Sequence, residues 1–289
     1  MIWFLLVTLV LCACVLPWGP GHHLEFAARV YRRRDRLPKS VARVLEKERD
    51  AFFYGSLAAD IINIKAYGGD YNHCHRWQII DEMRELAQTD AQEAFINGYL
   101  AHLAADTIAH NHFVPYHLCR YARTKGLGHL YWELNADRFI SESRWKIVNR
   151  LKTHEEIAEL DDLVNLTVPK KALSMGTNKV IFNHVLLVSE RDGWRKMMER
   201  IHPRQKVGLQ KGFLSLFQKA ATARVELALS PAGFKKLRQV DPNGKQAQKQ
   251  AFSLRRNILH RWAPGRMRQE ESERLAKPFL QGMGVPEEE

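Results

Sequence analysis

The chain has 289 residues, 45% of them hydrophobic, so it is neither too short nor too polar to bury a substantial core, in one large domain or two small ones. A formal charge of +12 and a pI near 9.6 favour anionic partners (nucleic acid, phospholipid head groups or acidic surfaces) and are silent on fold.

Residues 1–17 (MIWFLLVTLVLCACVLP) carry no charged side chain. The run has the length of a signal-peptide hydrophobic region and falls short of the roughly 20 apolar residues of a membrane span. It reads as an export signal, which would make the mature protein periplasmic, secreted or envelope-anchored. No Lys or Arg precedes the run, and Pro17 is a poor residue before a cleavage point. Lipoprotein-type processing at Cys14 and an uncleaved anchor are the alternatives. Two of the four cysteines lie in this leader. The other two, Cys74 and Cys119, either join in one disulfide after export or stay as buried thiols. No C-x-x-C zinc pattern is present.

Beyond the leader, helical periodicity dominates the chain. Apolar residues recur at three and four through Ser40–Phe53, Ile79–Leu103 and Asn178–Ile201, and Leu209–Leu229 is rich in Ala and Leu with basic residues on one side. Alternating strand-like runs are scarce, and no internal repeat is found. Breakers stand at Gly68-Gly69, Gly126–Gly128, Pro203, Ser230-Pro231 and Asp241-Pro242-Asn243-Gly244. The expected class is all-α. We divide the chain into a leader (1–17), one multi-helix domain (18–240) and a basic helical extension (241–289) that is partly disordered. The extension reads as a solvated surface helix with a loose tail. Leu254, Ile258, Leu259 and Trp262 offer it an apolar stripe, so docking on an anionic membrane or nucleic acid stays open.

The chemistry concentrates in HLAADTIAHNH, His102 to His112. His102 and Asp106 are four apart, so a helix puts them on one face, able to hold one metal ion together. His129 and Glu133 repeat that spacing, with His110 and His112 lying between the two pairs. Mixed imidazole and carboxylate ligands suit zinc. Upstream, Asp60 closes the nearly apolar run FYGSLAAD, where a buried carboxylate needs a partner. His73 and His75 come next, in NHCHRW. Taken singly, each of these has a plain alternative: a helix cap or ion pair for Asp60, an exposed loop pair for the two histidines. The same holds for Tyr54, Tyr67, Tyr71, Trp77, Tyr116 and Trp132, which are more readily core residues than stacking platforms for bases.

As an ordered set, Trp18-Gly-x-Gly-x-His23, Asp60, His75, His102-x-x-x-Asp106 and His129-x-x-x-Glu133 resemble the motifs of the zinc-dependent phospholipases C. The related single-strand-specific zinc nucleases carry a similar array that usually ends in His-x-x-x-Asp. The resemblance covers Trp18 to Glu133. It implies an all-α fold around two or three zinc ions and a hydrolase of phosphoric diesters. One ion would take Asp60, His75, His102 and Asp106. A second would take His23, a shared Asp106 and the main-chain amine and carbonyl of an N-terminal Trp18. A third would take His129, Glu133 and a histidine just after Asp106.

Two departures bear on this. In the phospholipases the last-named histidine comes six residues after the Asp, beyond a Pro. His112 has that spacing, but no Pro intervenes before Pro115. In a continuing helix, +6 rotates about 240° away and +4 only about 40°, which favours His110. Both stay as candidates, as do His73 and His75, with His75 preferred on spacing. Second, Trp18 offers an amine only if it begins the mature chain. Lipidation at Cys14 would remove that ligand and leave a two-zinc or weakened three-zinc site.

The resemblance assigns Asp60 the catalytic role of orienting or deprotonating the attacking water. A phospholipid is the expected substrate, with single-stranded nucleic acid as the alternative. A third reading is a non-catalytic helical protein at a membrane, its histidines structural. The sequence leaves the oligomeric state open.

Overall fold

The computed structural model describes residues 18–64, 67, 69, 73–121, 132, 135–152, 157, 159–190 and 209–284, with the side chains of 152, 185 and 187–190 left aside. All regular structure among them is helical, so the all-α expectation holds. The helices are α1 (Pro20–Arg32), α2 (Lys39–Lys47), α3 (Arg49–Ala58), α4 (Gln78–Leu86), α5 (Asp90–Ile108), α6 (Val114–Tyr121), α7 (Glu142–Lys152), α8 (Asp161–Thr167), α9 (Met175–Glu190), α10 (Lys211–Ala228), α11 (Pro231–Leu237), α12 (Lys245–Arg261) and α13 (Arg266–Ala276). A π turn, Ala109–Phe113, joins α5 to α6, and a short 3-10 turn, Lys277–Leu280, comes after α13.

Helix α5 is the axis of the domain. A capping box opens it: the Thr89 hydroxyl accepts from the Gln92 amide, and the Gln92 side chain accepts from the Thr89 amide. From Ala94 to Ile108 every residue is buried, which is how a helix apolar all round its surface is accommodated. The same box ends the predicted helix Ile79–Leu103, dividing it into α4 and α5. Ser40–Phe53 likewise becomes α2 and α3, with a kink at Glu48.

Helices α3 and α10 make the most extensive contacts with α5. The crossing with α3 is close because both helices bring a glycine to it. A methyl group on Gly55 would sit 2.0 Å from the Phe95 carbonyl oxygen, and one on Gly98 would sit 2.1 Å from that of Phe52. Only hydrogen fits at both places. The two backbones therefore nearly touch about one turn before the polar residues of α5.

The described part of the basic segment forms two largely exposed helices that rest on the domain. Helices α12 and α13 both pack on α6, and α12 also packs on the π turn. Ile258 is buried, and Leu254 and Trp262 lie against the core, while Leu259 is exposed. Cys74 and Cys119 form no disulfide and are both buried, and burial pushes the Cys119 thiol up to about 11. No helix among the described residues is long and apolar enough to cross a membrane. The leader lies outside the described residues.

Candidate metal centre

Five pieces of chain bring polar side chains to one point beside α5. Helix α5 supplies His102 and, one turn on, Asp106, on the shared face expected from their spacing. His23 comes from the start of α1. That end of the helix is fixed by Asp137, whose carboxylate accepts from the amides of Gly21 and His22 and lies 2.6 Å from His22 Nδ1. A carboxylate at these unpaired first-turn amides satisfies donors and opposes the positive helix end. Asp60 lies in the turn that ends α3, its amide bonded to the Leu57 carbonyl. His75 lies in the irregular segment before α4, and His110 in the π turn.

The donor atoms converge. His75 Nε2 is 3.4 Å from Asp60 Oδ1, 3.2 Å from Asp106 Oδ2 and 3.1 Å from His102 Nε2. His102 Nε2 is 3.3 Å from Asp106 Oδ2 and 3.8 Å from Asp60 Oδ1. A tetrahedral zinc ion with ligands at about 2.0–2.1 Å holds neighbouring donors about 3.3 Å apart. The Asp60–His75–His102 group, with its donors 3.1–3.8 Å apart, is close to that spacing for three ligands. The other oxygen of Asp106 faces His23, with Nε2 at 3.4 Å, and the His23 ring stacks on His102 at 3.6 Å. His110 Nε2 lies 3.9 Å from Asp106 Oδ2.

All six side chains are buried, Asp106 and His110 completely, and Asp60 is the most exposed at 6%. Both oxygens of Asp106 and both ring nitrogens of His23 make no hydrogen bond in this interior. Buried polar atoms are costly without partners, so the cluster fits a cation at its centre. Burial, reinforced by the charge of His102, holds His23 well below the usual histidine range, so the ring stays neutral with one nitrogen lone pair available. Burial would also lower His102, but the charges of Asp106 and Asp60 outweigh it and raise the group.

Outer contacts orient the imidazoles. His102 Nδ1 donates to the Ser56 carbonyl at 2.8 Å, a contact that the Gly55–Gly98 approach makes reachable. With Nδ1 protonated, Nε2 is the free lone pair, aimed at the cluster. His75 Nδ1 lies 3.2 Å from Cys74 Sγ, and Gln248 Nε2 lies 2.9 Å from His110 Nδ1.

The alternatives separate. His73 groups with Cys74 and His75 rather than with the two aspartates, its Nδ1 accepting from the His75 amide at 3.1 Å. His112 faces the other way, Nδ1 bonding the Phe279 carbonyl at 3.0 Å. Trp18 is wholly buried, its indole donating to the Ala105 carbonyl and stacking on Phe113 and His22. His129 and Glu133 lie outside the described residues. Among the aromatic residues, Tyr54, Trp77, Tyr116 and Trp132 are core, while Tyr67 is exposed. Sequence reasoning missed Asp137, Asn243 and Gln248. No local pattern marks them, since each reaches its partner across more than a hundred residues.

A cleft of about 720 Å³ opens beside the cluster, bordered by His75, Trp77, Arg76, Arg238, Lys245 and Asn243 among others.

No curated protein and no solved structure matches the chain. The model of the zinc-dependent phospholipase C family matches residues 22–183, more than half of the 289-residue chain, and on that match and this donor set the chain belongs to the zinc-dependent phospholipase C family.

Proposed function

We propose that this protein hydrolyses the phosphodiester bond of a phospholipid, using zinc held between α1, α5 and the segments that carry Asp60 and His75. The observation that carries the reading is the convergence of two donor groups that share His102, one of Asp60, His75 and His102 and the other of His23, His102 and Asp106, with Asp106 also 3.2 Å from His75. Asp106 would bridge two ions. His110, rather than His112, would join His129 and Glu133 at a third. Trp18 would add main-chain atoms only as a mature N-terminus, and the uncharged leader supports export.

Zinc bound there supplies a water of lowered pKa and neutralises charge on the phosphate. The chain's own residues do the rest. Asp60, the most exposed of the six, orients that water and accepts its proton. His102 is held in one tautomer by the Ser56 carbonyl. The cleft beside His75 presents Arg76, Arg238 and Lys245 against Glu82 and Asp241. That polar wall, with cations in excess, suits a phosphorylated head group better than an acyl chain.

The test is Asp106→Asn, assayed on phosphatidylcholine vesicles and on single-stranded DNA, with bound zinc measured in both proteins. Activity on the lipid that vanishes in the variant along with zinc supports the proposal. Wild-type activity in Asp106→Asn would refute the assignment, and turnover of DNA alone would replace the substrate.

A further inference from the structure

Away from the metal centre, arginines from three helices meet. Helices α12 and α13 pack on α6 and on each other, and a cavity of about 410 Å³ lies between them. Arg120 of α6, Arg255 of α12 and Arg268 of α13 line it, beside Tyr121 and Ser272. Each guanidinium is held in place. Arg120 is only 9% exposed and lies 4.7 Å over the Tyr121 ring. Arg255 Nη1 donates to the Ser272 hydroxyl at 3.2 Å. Arg268 Nε donates to the Trp262 carbonyl at 2.8 Å and Nη2 to that of Leu259 at 3.3 Å. Fixed guanidinium forks match the geometry of a phosphate group. Among the described residues no acidic side chain borders the cavity. Glu273 reaches Arg120 at 3.6 Å from an exposed position, while Glu270 and Glu271 pair with Arg266 and Arg274.

Helix α12 extends this charge toward the cleft beside the metal centre. It carries Lys245, Lys249, Arg255, Arg256 and Arg261 and no acidic residue. Lys245 borders the cleft, and Leu259 borders the cavity, about 21 Å away along the helix. Lys245, Lys249, Arg256 and Leu259 are all exposed, and helical geometry puts them within about 80° of one another. Leu259 and Met267 leave large apolar surfaces in water, at 42% and 63% exposure.

We propose that the α6–α12–α13 cavity binds the phosphate of an anionic phospholipid and docks the protein on a membrane, with Leu259 and Met267 entering the bilayer surface. Cations flanked by exposed apolar side chains suit that interface, where charge meets the head groups and the apolar groups leave water. A nucleic acid would offer the phosphates and nothing for Leu259 and Met267. Stacking on bases needs an open ring, and the ring of this cavity, Tyr121, lies against Arg120.

The test is partition of the full-length protein onto vesicles of phosphatidylcholine and onto equimolar phosphatidylcholine and phosphatidylglycerol, read by co-sedimentation, with a melting curve for each variant. The wild type should bind the mixed vesicles more tightly. Arg255→Gln should lose about fivefold on the mixed vesicles and nothing on the neutral ones, as removal of one cation near an anionic bilayer predicts. Lys39→Gln takes the same charge from the exposed start of α2 and should bind as the wild type does. Leu259→Ser should weaken binding to the mixed vesicles several-fold. Because Leu259 is exposed, this variant carries the test where Arg255→Gln does not fold. Equal binding of the wild type to both vesicles overturns the proposal. So does an equal loss in Lys39→Gln and Arg255→Gln, or a Leu259→Ser protein that binds like the wild type. Loss of affinity for single-stranded DNA but not for mixed vesicles in Arg255→Gln also overturns it, in favour of a nucleic-acid site. None of these readings involves zinc or turnover, so they stand apart from the proposed hydrolysis.

Discussion

Gly98 is where the fold and the site are most tightly joined. In Gly98→Ala the new methyl carbon would stand 2.1 Å from the Phe52 carbonyl oxygen, with the Ser56 amide at 2.8 Å and Gly55 Cα at 2.9 Å. An ordinary C···O contact is about 3.3 Å, so α3 and α5 must separate by about 1 Å at the crossing. All three obstacles are backbone, so no side chain can rotate away to relieve the overlap. Forced overpacking of this kind costs about 1–3 kcal/mol, enough to outweigh the gain of up to about 1 kcal/mol in helix propensity. For a domain of this size the melting temperature should fall by roughly 2–8 °C. The same shift moves the Ser56 carbonyl from His102 Nδ1 and Asp60 from His102, contacts now at 2.8 and 3.8 Å, so zinc affinity should fall with stability. Gly212→Ala is the control, because nothing lies within 4 Å of its methyl position. Differential scanning calorimetry and zinc titration of the two variants check this. A Gly98→Ala protein at least as stable as wild type, binding zinc as tightly, would refute the argument that the glycine contact sets the site.

Other outcomes rest on the same geometry. Stripping metal with a chelator should lower the melting temperature, and added zinc should restore it, because a ligand at about 1,000 times its dissociation constant stabilises by about 4 kcal/mol; a melt insensitive to both would count against a buried metal site. His110→Ala should lose zinc where His112→Ala keeps it, since only His110 faces Asp106, and metal analysis of the two decides between them. His117 is fully buried against Phe113 and Trp132, and burial lowers it from 6.5 to about 3 although its Nδ1–H donates to the Phe113 carbonyl. The unfolded chain therefore binds the extra proton between those values, so this contribution is fully present above the unfolded value of 6.5 and lost as pH falls toward 3. Urea midpoints across that range should decline, and His117→Phe should show a shallower decline; parallel curves would argue against His117 as a source of acid sensitivity.

By itself the sequence determined the all-helical class, because three-and-four periodicity is a local signal that α-helices must obey. It also determined that His102 and Asp106 lie side by side, since residues four apart share a helix face wherever the helix goes. Helix ends were less legible: the capping box at Thr89 and the kink at Glu48 divide runs whose apolar pattern continues across them. Only the tertiary structure decided the rest of the centre. Asp60, His75 and His23 reach α5 because paired glycines let α3 approach it and because Asp137 anchors α1 from more than a hundred residues away. His110 and not His112 turns inward because a π turn and a helix from beyond residue 240 hold it there. Such contacts depend on which surfaces meet in space, and spacing along a chain carries no record of that.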